Sequence, residues 1–113
     1  MRFKAVISMV KENYTDRVVE AAKEAGGTGA TIIPARGAGI REAKTFFGLT
    51  LDVQTDVIVN IVEENLVDPI LEALWKAGEF DKPGTGIAFV VSLDKVVGLG
   101  SQIPYFQKAS EKL

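Results

Sequence analysis

The sequence carries the same succession of elements twice. Residues 18–26 (VVEAAKEAG) resemble residues 70–78 (ILEALWKAG), and each segment is followed by a Thr-Gly pair and an apolar run. An apolar run also precedes each copy, at residues 3–10 and 57–62. The matching order of these parts favours a duplication over a chance likeness between two alanine-rich segments. The chain is therefore expected to contain two β-α-β units in succession.

The two alanine-rich segments are predicted to be helices because their apolar residues recur at helical spacing. These residues are Val18, Ala21, Ala22 and Ala25 in the first segment, and Ile70, Ala73, Leu74 and Ala77 in the second. We expect Asn13 or Thr15 to cap the first helix and Asn65 to cap the second. Gly26 and Gly78 are expected to end them in the left-handed conformation. Pro69 is expected in a first turn, where a missing N–H costs least.

This order of elements predicts an α+β protein with the ferredoxin-like βαββαβ fold, a four-stranded antiparallel sheet with two helices on one face. Pro34 fits an edge strand, because the N–H that proline lacks can there face solvent and is not needed for pairing with a neighbouring strand. A further short strand is expected at residues 95–98. With 113 residues, the chain is expected to form a single domain over residues 1–113, with a short tail at residues 101–113.

The sheet face away from the helices should be polar in a monomer, but the predicted strands are apolar on both sides. Alternate positions of the first strand carry Phe3, Ala5, Ile7 and Met9, and those of the third carry Val57, Val59 and Ile61. An uncovered apolar face of this size indicates an interface, so we expect a homo-oligomer. The alternative is a well-packed monomer with some exposed valines.

Two Gly-x-Gly turns, at residues 37–39 and 84–86, flank the predicted edge strands. The first opens a long connection, residues 35–52, and lies between Arg36 and Arg41. Backbone N–H groups of such turns can approach an anion, although a tight exit from an edge strand explains the glycines equally well. Because the edge strands lie far apart in one subunit, the turns can meet only across a subunit interface, where they would form a small-ligand cleft.

The composition excludes several chemistries. The chain has no cysteine and no histidine, which removes disulfides, thiolate zinc sites, cysteine nucleophiles and histidine acid–base catalysis. A net charge of −2 argues against electrostatic binding to nucleic acid. The N-terminal residues do not resemble a signal peptide and no apolar run is long enough to span a membrane, so a cytoplasmic location without membrane insertion is expected.

Residues 28–39 (TGATIIPARGAG) and 84–90 (GTGIAFV) resemble two motifs of the PII nitrogen-regulatory signalling proteins. The resemblance implies a homotrimer with nucleotide clefts between subunits and a T-loop at about residues 37–53. It implies a sensor rather than an enzyme. Such a sensor reads an adenine nucleotide (AMP, ADP or ATP) as its small-molecule effector, sometimes with 2-oxoglutarate. It then regulates a target protein, such as a membrane transporter, in nitrogen metabolism.

Candidate site residues follow from the resemblance and from the residues themselves. The ligand-binding candidates are Thr28, Thr31, Arg36, Gly37, Gly39, Arg41, Gly84, Thr85 and Gly86. The partner-binding candidates are Lys44, Phe46 and Phe47. The two phenylalanines either anchor a partner or pack on the body of the protein. No catalytic residue, metal site or firmly assigned cofactor follows.

Several charged positions of the family are changed. Thr85 and Ile87 replace its aspartate and phosphate-binding lysine, and Gly98 and Gly100 align with two arginines. Arg41 replaces a glutamine that helps to bind 2-oxoglutarate and magnesium. Losing several charge-assisted contacts, each worth about 1.5–3 kcal/mol, should weaken ATP binding severely. The cations that remain near the presumed cleft, Arg36, Arg41 and Lys82, suit a smaller anion such as a nucleoside monophosphate.

Two other functions stay open from the residues. One is a ligand-independent trimeric interaction protein that uses Phe46 and Phe47 as an anchor. The other, less favoured, is a small ferredoxin-like enzyme, whose chemistry would fall to carboxylates, Tyr14 or Tyr105 without any paired spacing that suggests acid–base work.

Overall fold

The computed structural model describes residues 2–37 and 53–100, together with residues 103, 104 and 108. The regular elements of these residues are, in chain order, β1 (Phe3–Lys11), α1 (Thr15–Glu24), β2 (Thr31–Gly37), β3 (Val53–Glu63), α2 (Val67–Ala77) and β4 (Gly86–Ser92). Short 3₁₀ turns, Glu12–Tyr14 and Glu64–Leu66, lead into the two helices. The predicted βαββαβ order is confirmed.

The four strands form one antiparallel sheet in the order β2-β3-β1-β4. Ile7 in the middle of β1 lies opposite Val59 of β3 and Phe89 of β4. Pro34 lies on β2, an edge strand, as predicted. The two strands that the Gly-x-Gly turns flank, β2 and β4, are therefore the two edges of the sheet.

Both helices pack on one face of the sheet, which we call the helix face. The core between them is made by apolar side chains that are 1% exposed or less: Val6, Val10, Val18, Ala22, Ile58, Val62, Leu66, Ile70 and Leu74. Strand residues two apart share a face, which places Val6 and Val10 on the same side. The helical stripe predicted from the sequence supplies the facing side chains, and Ile70 and Leu74 are fully buried.

The opposite side of the sheet, which we call the open face, is also apolar. It carries the alternate residues Ala5, Ile7, Met9, Ile33, Val57, Val59, Ile61, Ile87, Phe89 and Val91. Exposure is highest toward the edges, at 49% for Ile33 and 58% for Ile87. No described element covers this face, so the sheet buries one apolar side and presents the other to solvent.

The predicted helix caps are wrong, because each helix is entered through a 3₁₀ turn. The Glu12 carbonyl oxygen accepts the N–H of Thr15, the first residue of α1, and the Glu64 carbonyl oxygen accepts the N–H of Val67, the first residue of α2. No side chain caps either helix. Thr15 instead donates its hydroxyl to the Asp56 carboxylate over 2.6 Å. Asn65 donates its backbone N–H to Glu63 over 2.8 Å.

The helix ends follow the prediction only in part. Gly26 has φ +117°, the left-handed region expected after α1, but Gly78 has φ −86°. The left-handed residue after α2 is Glu79, with φ +52°. Gly78 is needed for space, because a Cβ there would lie 2.2 Å from Phe80 Cε1. Pro69 lies in the first turn of α2, as expected.

The short strand predicted at residues 95–98 is not formed. Strand β4 has one neighbour, β1, and their pairing ends at Lys4 and Ser92. Because β1 begins at Phe3, the chain beyond Ser92 has almost no backbone left to pair with and leaves the sheet.

Gly86 provides a test of packing at the start of β4. A Cβ at this position would lie 2.7 Å from the Met9 carbonyl oxygen and 2.8 Å from Phe80 Cε1. Gly86→Ala is therefore expected to lower the free energy of unfolding by about 1–3 kcal/mol, measured by urea denaturation. Gly29→Ala, where a Cβ meets nothing within 4 Å, is the control and should stay near wild type. Equal stability of the two variants would contradict this packing.

Candidate functional site

Gly37, the first residue of the first Gly-x-Gly motif, and the turn at residues 84–86 lie at the same end of the sheet. Gly37 ends β2 opposite Val53, and Gly86 begins β4 opposite Val10. Two strands lie between them, which makes three spacings of about 4.8 Å each, so Gly37 and Gly86 are about 14 Å apart within one chain. They therefore lie at opposite edges of the sheet.

The other predicted ligand-binding residues do not all lie at this end. Arg36 is exposed opposite Gln54, next to Gly37. Thr31 lies opposite Val59, six residues along β2 from Gly37, which corresponds to about 20 Å. Thr28 precedes the strand and is exposed. Within one chain, Thr28 and Thr31 are therefore separated from both glycine turns.

The five remaining candidates lie outside the described residues: Gly39, Arg41, Lys44, Phe46 and Phe47. Their roles stay predictions from the sequence.

The segment before β2 is held by a buried amide. Asn60 of β3 is 2% exposed, and its Nδ2 donates to the Gly29 carbonyl oxygen over 2.6 Å. Its Oδ1 has no hydrogen-bond partner in the part of the chain that the structure describes. This contact fixes the backbone beside Thr28, which leaves the threonine side chain at the surface.

The second glycine turn is shaped by three neighbouring residues. Gly84 has φ +77°, a conformation that favours glycine, and Gly86 permits the close approach to β1. Thr85 between them is 6% exposed. Its hydroxyl lies 2.8 Å from the Glu79 carbonyl oxygen and 3.1 Å from that of Lys82. The Thr85 side chain therefore stabilises its own loop, and its contact with a ligand stays a prediction.

A charged network that the sequence did not reveal ties this loop to α1. The Glu79 carboxylate forms ion pairs with Lys82 and, over 3.6 Å, with Arg17. The Arg17 guanidinium lies 4.4 Å from the centre of the Tyr14 ring. A hydrogen bond from Lys82 and a weaker one from Tyr14 lower the pKa of Glu79, and the same Glu79 contact raises the pKa of Lys82. Lys82, predicted as a cleft cation, is thus paired with a carboxylate.

Two further observations concern the described residues alone. No three of their acidic side chains lie close enough together to hold a metal ion. None of their helices is both long and apolar enough to cross a membrane.

The sequence model of the nitrogen regulatory protein P-II family matches residues 3–101. The chain belongs to the PII family. Among solved structures, the crystal structure of Arabidopsis thaliana PII bound to citrate has the same fold, with a TM-score of 0.68 and 20% sequence identity. The match covers 87% of this chain and 83% of the plant protein. No curated protein sequence matches the chain significantly.

Membership confirms the resemblance drawn from residues 28–39 and 84–90, and it makes this chain a PII-like regulatory protein. In this PII family member, Thr85 lies buried at the centre of the second glycine turn, and Glu79 forms an ion pair with the nearby Lys82.

The Glu79 network predicts a pH dependence of stability. Because the folded-state pKa of Glu79 lies below its ordinary value of 4.5, the ion pairs stabilise the fold above that pH. Their contribution is lost as the pH falls through the lowered folded pKa. Wild type should therefore exceed Glu79→Gln in stability more at about pH 7 than at about pH 3, in chemical denaturation at low salt.

Glu20→Gln is the matched control for this prediction. Glu20 is an exposed glutamate of α1 that takes part in none of the ion pairs of the described residues. If the difference in unfolding free energy between wild type and Glu79→Gln stays constant from pH 7 to pH 3, the Glu79 carboxylate does not stabilise the loop.

Proposed function

We propose that this PII family member is a homotrimeric signalling protein that binds a small ligand, an adenine nucleotide, between its subunits. In this proposal it regulates a partner protein through the connection between β2 and β3. The observation that carries the proposal is the apolar open face, together with the two glycine turns at opposite edges of one sheet end. The proposal places the protein in the cytoplasm and in nitrogen metabolism, as its family suggests.

The open face supports self-association. Helices cover one side of the sheet only, and the other carries apolar residues from all four strands, among them Ile7 on the central strand β1 and Phe89 beside it on the edge strand β4. A contiguous apolar surface of this kind is unusual on a monomer and marks an interaction site, which a second apolar layer can cover. Copies of this chain are the simplest such layer.

A head-to-tail ring is the assembly that we propose. In such a ring the β2 edge of one subunit lies beside the β4 edge of the next. This arrangement brings Gly37 of one subunit to the Gly84–Thr85–Gly86 turn of another at every interface, and the smallest such ring is a trimer, the state that the family resemblance implies.

The ligand proposed for this cleft is a nucleoside monophosphate. The glycine turns offer backbone N–H groups, and Arg36 offers a cation next to Gly37. Lys82 is neutralised by Glu79, and the basic residues of the family at positions 98 and 100 are glycines. Fewer cations disfavour a triphosphate more than a monophosphate, because each charged contact contributes separately.

The partner would be bound by Lys44, Phe46 and Phe47. Paired phenylalanines with a neighbouring lysine suit a hydrophobic anchor with a polar rim, and a membrane transporter is the proposed class of target.

A second candidate is a trimeric interaction protein that needs no ligand. The pairing of Lys82 with Glu79 favours it, because this pairing removes a cation from the region of the cleft.

A ligand panel separates the two candidates. Thermal unfolding is followed with AMP, ADP, ATP, cyclic dinucleotides and 2-oxoglutarate. We expect saturable stabilisation by AMP that exceeds that by ATP, reaching about 2.7 kcal/mol at a hundredfold excess over Kd. Arg36→Ala should abolish it, whereas Lys23→Ala, an exposed change on α1, should not. Stabilisation by none of these compounds would exclude the nucleotide sensor in favour of the ligand-independent protein.

A charge at the centre of the open face tests the assembly. Ile7 lies between Val59 and Phe89, so Ile7→Lys should place an unpaired ammonium in the interface and dissociate the oligomer. Light scattering after size-exclusion chromatography should show monomers. Trp75→Lys, which changes a 54% exposed residue of α2, is the control and should leave the mass unchanged. An Ile7→Lys protein with the wild-type mass and helix content would contradict assembly through this face.

A further inference from the structure

Two buried polar side chains interrupt the apolar helix face of the sheet. Ser8 lies on β1 between two core valines, and Asn60 lies on β3 between Ile58 and Val62. Ser8 is 0% exposed and Asn60 is 2% exposed. Both polar groups are therefore removed from bulk water and surrounded by aliphatic side chains.

Each of these side chains has a polar atom without a partner. Neither Ser8 Oγ nor Asn60 Oδ1 has a hydrogen-bond partner among the described residues. The other end of the same amide is bonded, because Asn60 Nδ2 donates to the Gly29 carbonyl oxygen over 2.6 Å. A buried polar group without a hydrogen bond loses the free energy of its hydration, so such groups almost always bond to protein or to ordered water. Two such atoms on neighbouring strands point to a common partner.

The spacing of the two residues suits a bridge. Ser8 lies opposite Ile58 and Asn60 lies opposite Val6, so the two polar residues are diagonal neighbours on paired strands. The Cβ atoms of diagonal neighbours are at most about 7–8 Å apart. This separation is too long for a direct bond between the two short side chains. It can be spanned by two hydrogen bonds of about 2.8 Å each that meet at one water oxygen.

The residues around the two polar groups are small. A Cβ on Gly27 would lie 3.6 Å from Asn60 Nδ2 and 3.0 Å from the Ala22 carbonyl oxygen, so the amide lies directly under the end of α1. Ala88 on β4 is the residue opposite Ser8 on the other side of β1. Glycine and alanine leave more room than leucine or isoleucine would, and an internal water needs both room and at least two polar partners.

We propose that one internal water bridges Ser8 Oγ and Asn60 Oδ1 beneath α1 as a permanent part of the fold. The water donates one hydrogen bond to the amide oxygen and forms a second with the serine hydroxyl. It thereby fixes the amide that holds Gly29, and so positions the segment that leads into β2. The site lies within one chain and does not rest on the proposed trimer or on the proposed nucleotide.

Crystallography of the wild-type protein, at a resolution that shows ordered water, tests this site directly. We expect density for one water within about 2.6–3.2 Å of both Ser8 Oγ and Asn60 Oδ1. The proposal is overturned if the space between the two atoms shows no density, or if both atoms bond directly to protein groups.

Ser8→Ala distinguishes a bound water from an unpaired hydroxyl by the sign of its effect. Removing an unpaired hydroxyl relieves a desolvation cost, so the equilibrium constant of unfolding would fall. Removing a hydroxyl that holds the water loses a hydrogen bond, so we expect this constant to rise about three- to tenfold in urea denaturation. An unchanged or lower constant would overturn the proposal.

Ser92→Ala is the matched control, because it removes the hydroxyl of an exposed serine on β4. It should change the unfolding constant less than about twofold. Hydrogen exchange of the Asn60 side-chain amide, followed by NMR, adds a readout of position. It should be faster in Ser8→Ala than in wild type and unchanged in Ser92→Ala. Equal exchange in all three proteins would overturn the positioning role of the water.

Discussion

An antiparallel sheet with apolar side chains on both faces needs a cover on both. In this chain, α1 and α2 cover one face, and nine side chains that are 1% exposed or less form the core between the layers. The other face presents Ile7, Val59 and Phe89 side by side on paired strands with no described element above them. The fold of one chain therefore leaves one apolar face of the sheet in contact with water, and association of copies is the direct way to bury it.

The same sheet order determines where the proposed ligand cleft can form. Since β2 and β4 are the edges, Gly37 and the turn at Gly84 lie at the same end of the sheet but at opposite edges. A cleft that contains both requires two subunits, so assembly and ligand binding are expected to be coupled. The loop that carries Gly84 is held in place by Thr85 and by the pairing of Glu79 with Lys82 and Arg17.

The sequence predicts the elements of the fold well and its junctions poorly. Helix and strand periodicity, Pro34 on an edge strand and the left-handed Gly26 depend on local preferences, and the structure confirms them. The caps at Asn13 and Asn65 are wrong, because 3₁₀ turns satisfy the first N–H groups of both helices. The expected strand at residues 95–98 is not formed, because a strand needs free backbone groups on its neighbour, and β1 has almost none left beyond its pairing with Ser92.

In the candidate site, too, the sequence predicts some features and misses others. Gly84 and Gly86 stand out in the sequence, and the structure gives each a steric reason. The partners Arg17 and Glu79 lie far apart along the chain, so no local spacing signals their contact. Gly78 carries the sequence signature of a helix stop, yet Glu79 adopts the left-handed conformation. The glycine at position 78 is needed instead for space, because Phe80 packs where a side chain of residue 78 would lie.

The central claim is that the open face of each chain is covered by further copies of the same chain. Sedimentation equilibrium of the wild-type protein at micromolar concentration tests it most directly. The account predicts a single species with three times the chain mass of 12.2 kDa. A single species with the mass of one chain would contradict the account, because the apolar open face would then be stable in water and no cleft between subunits would exist.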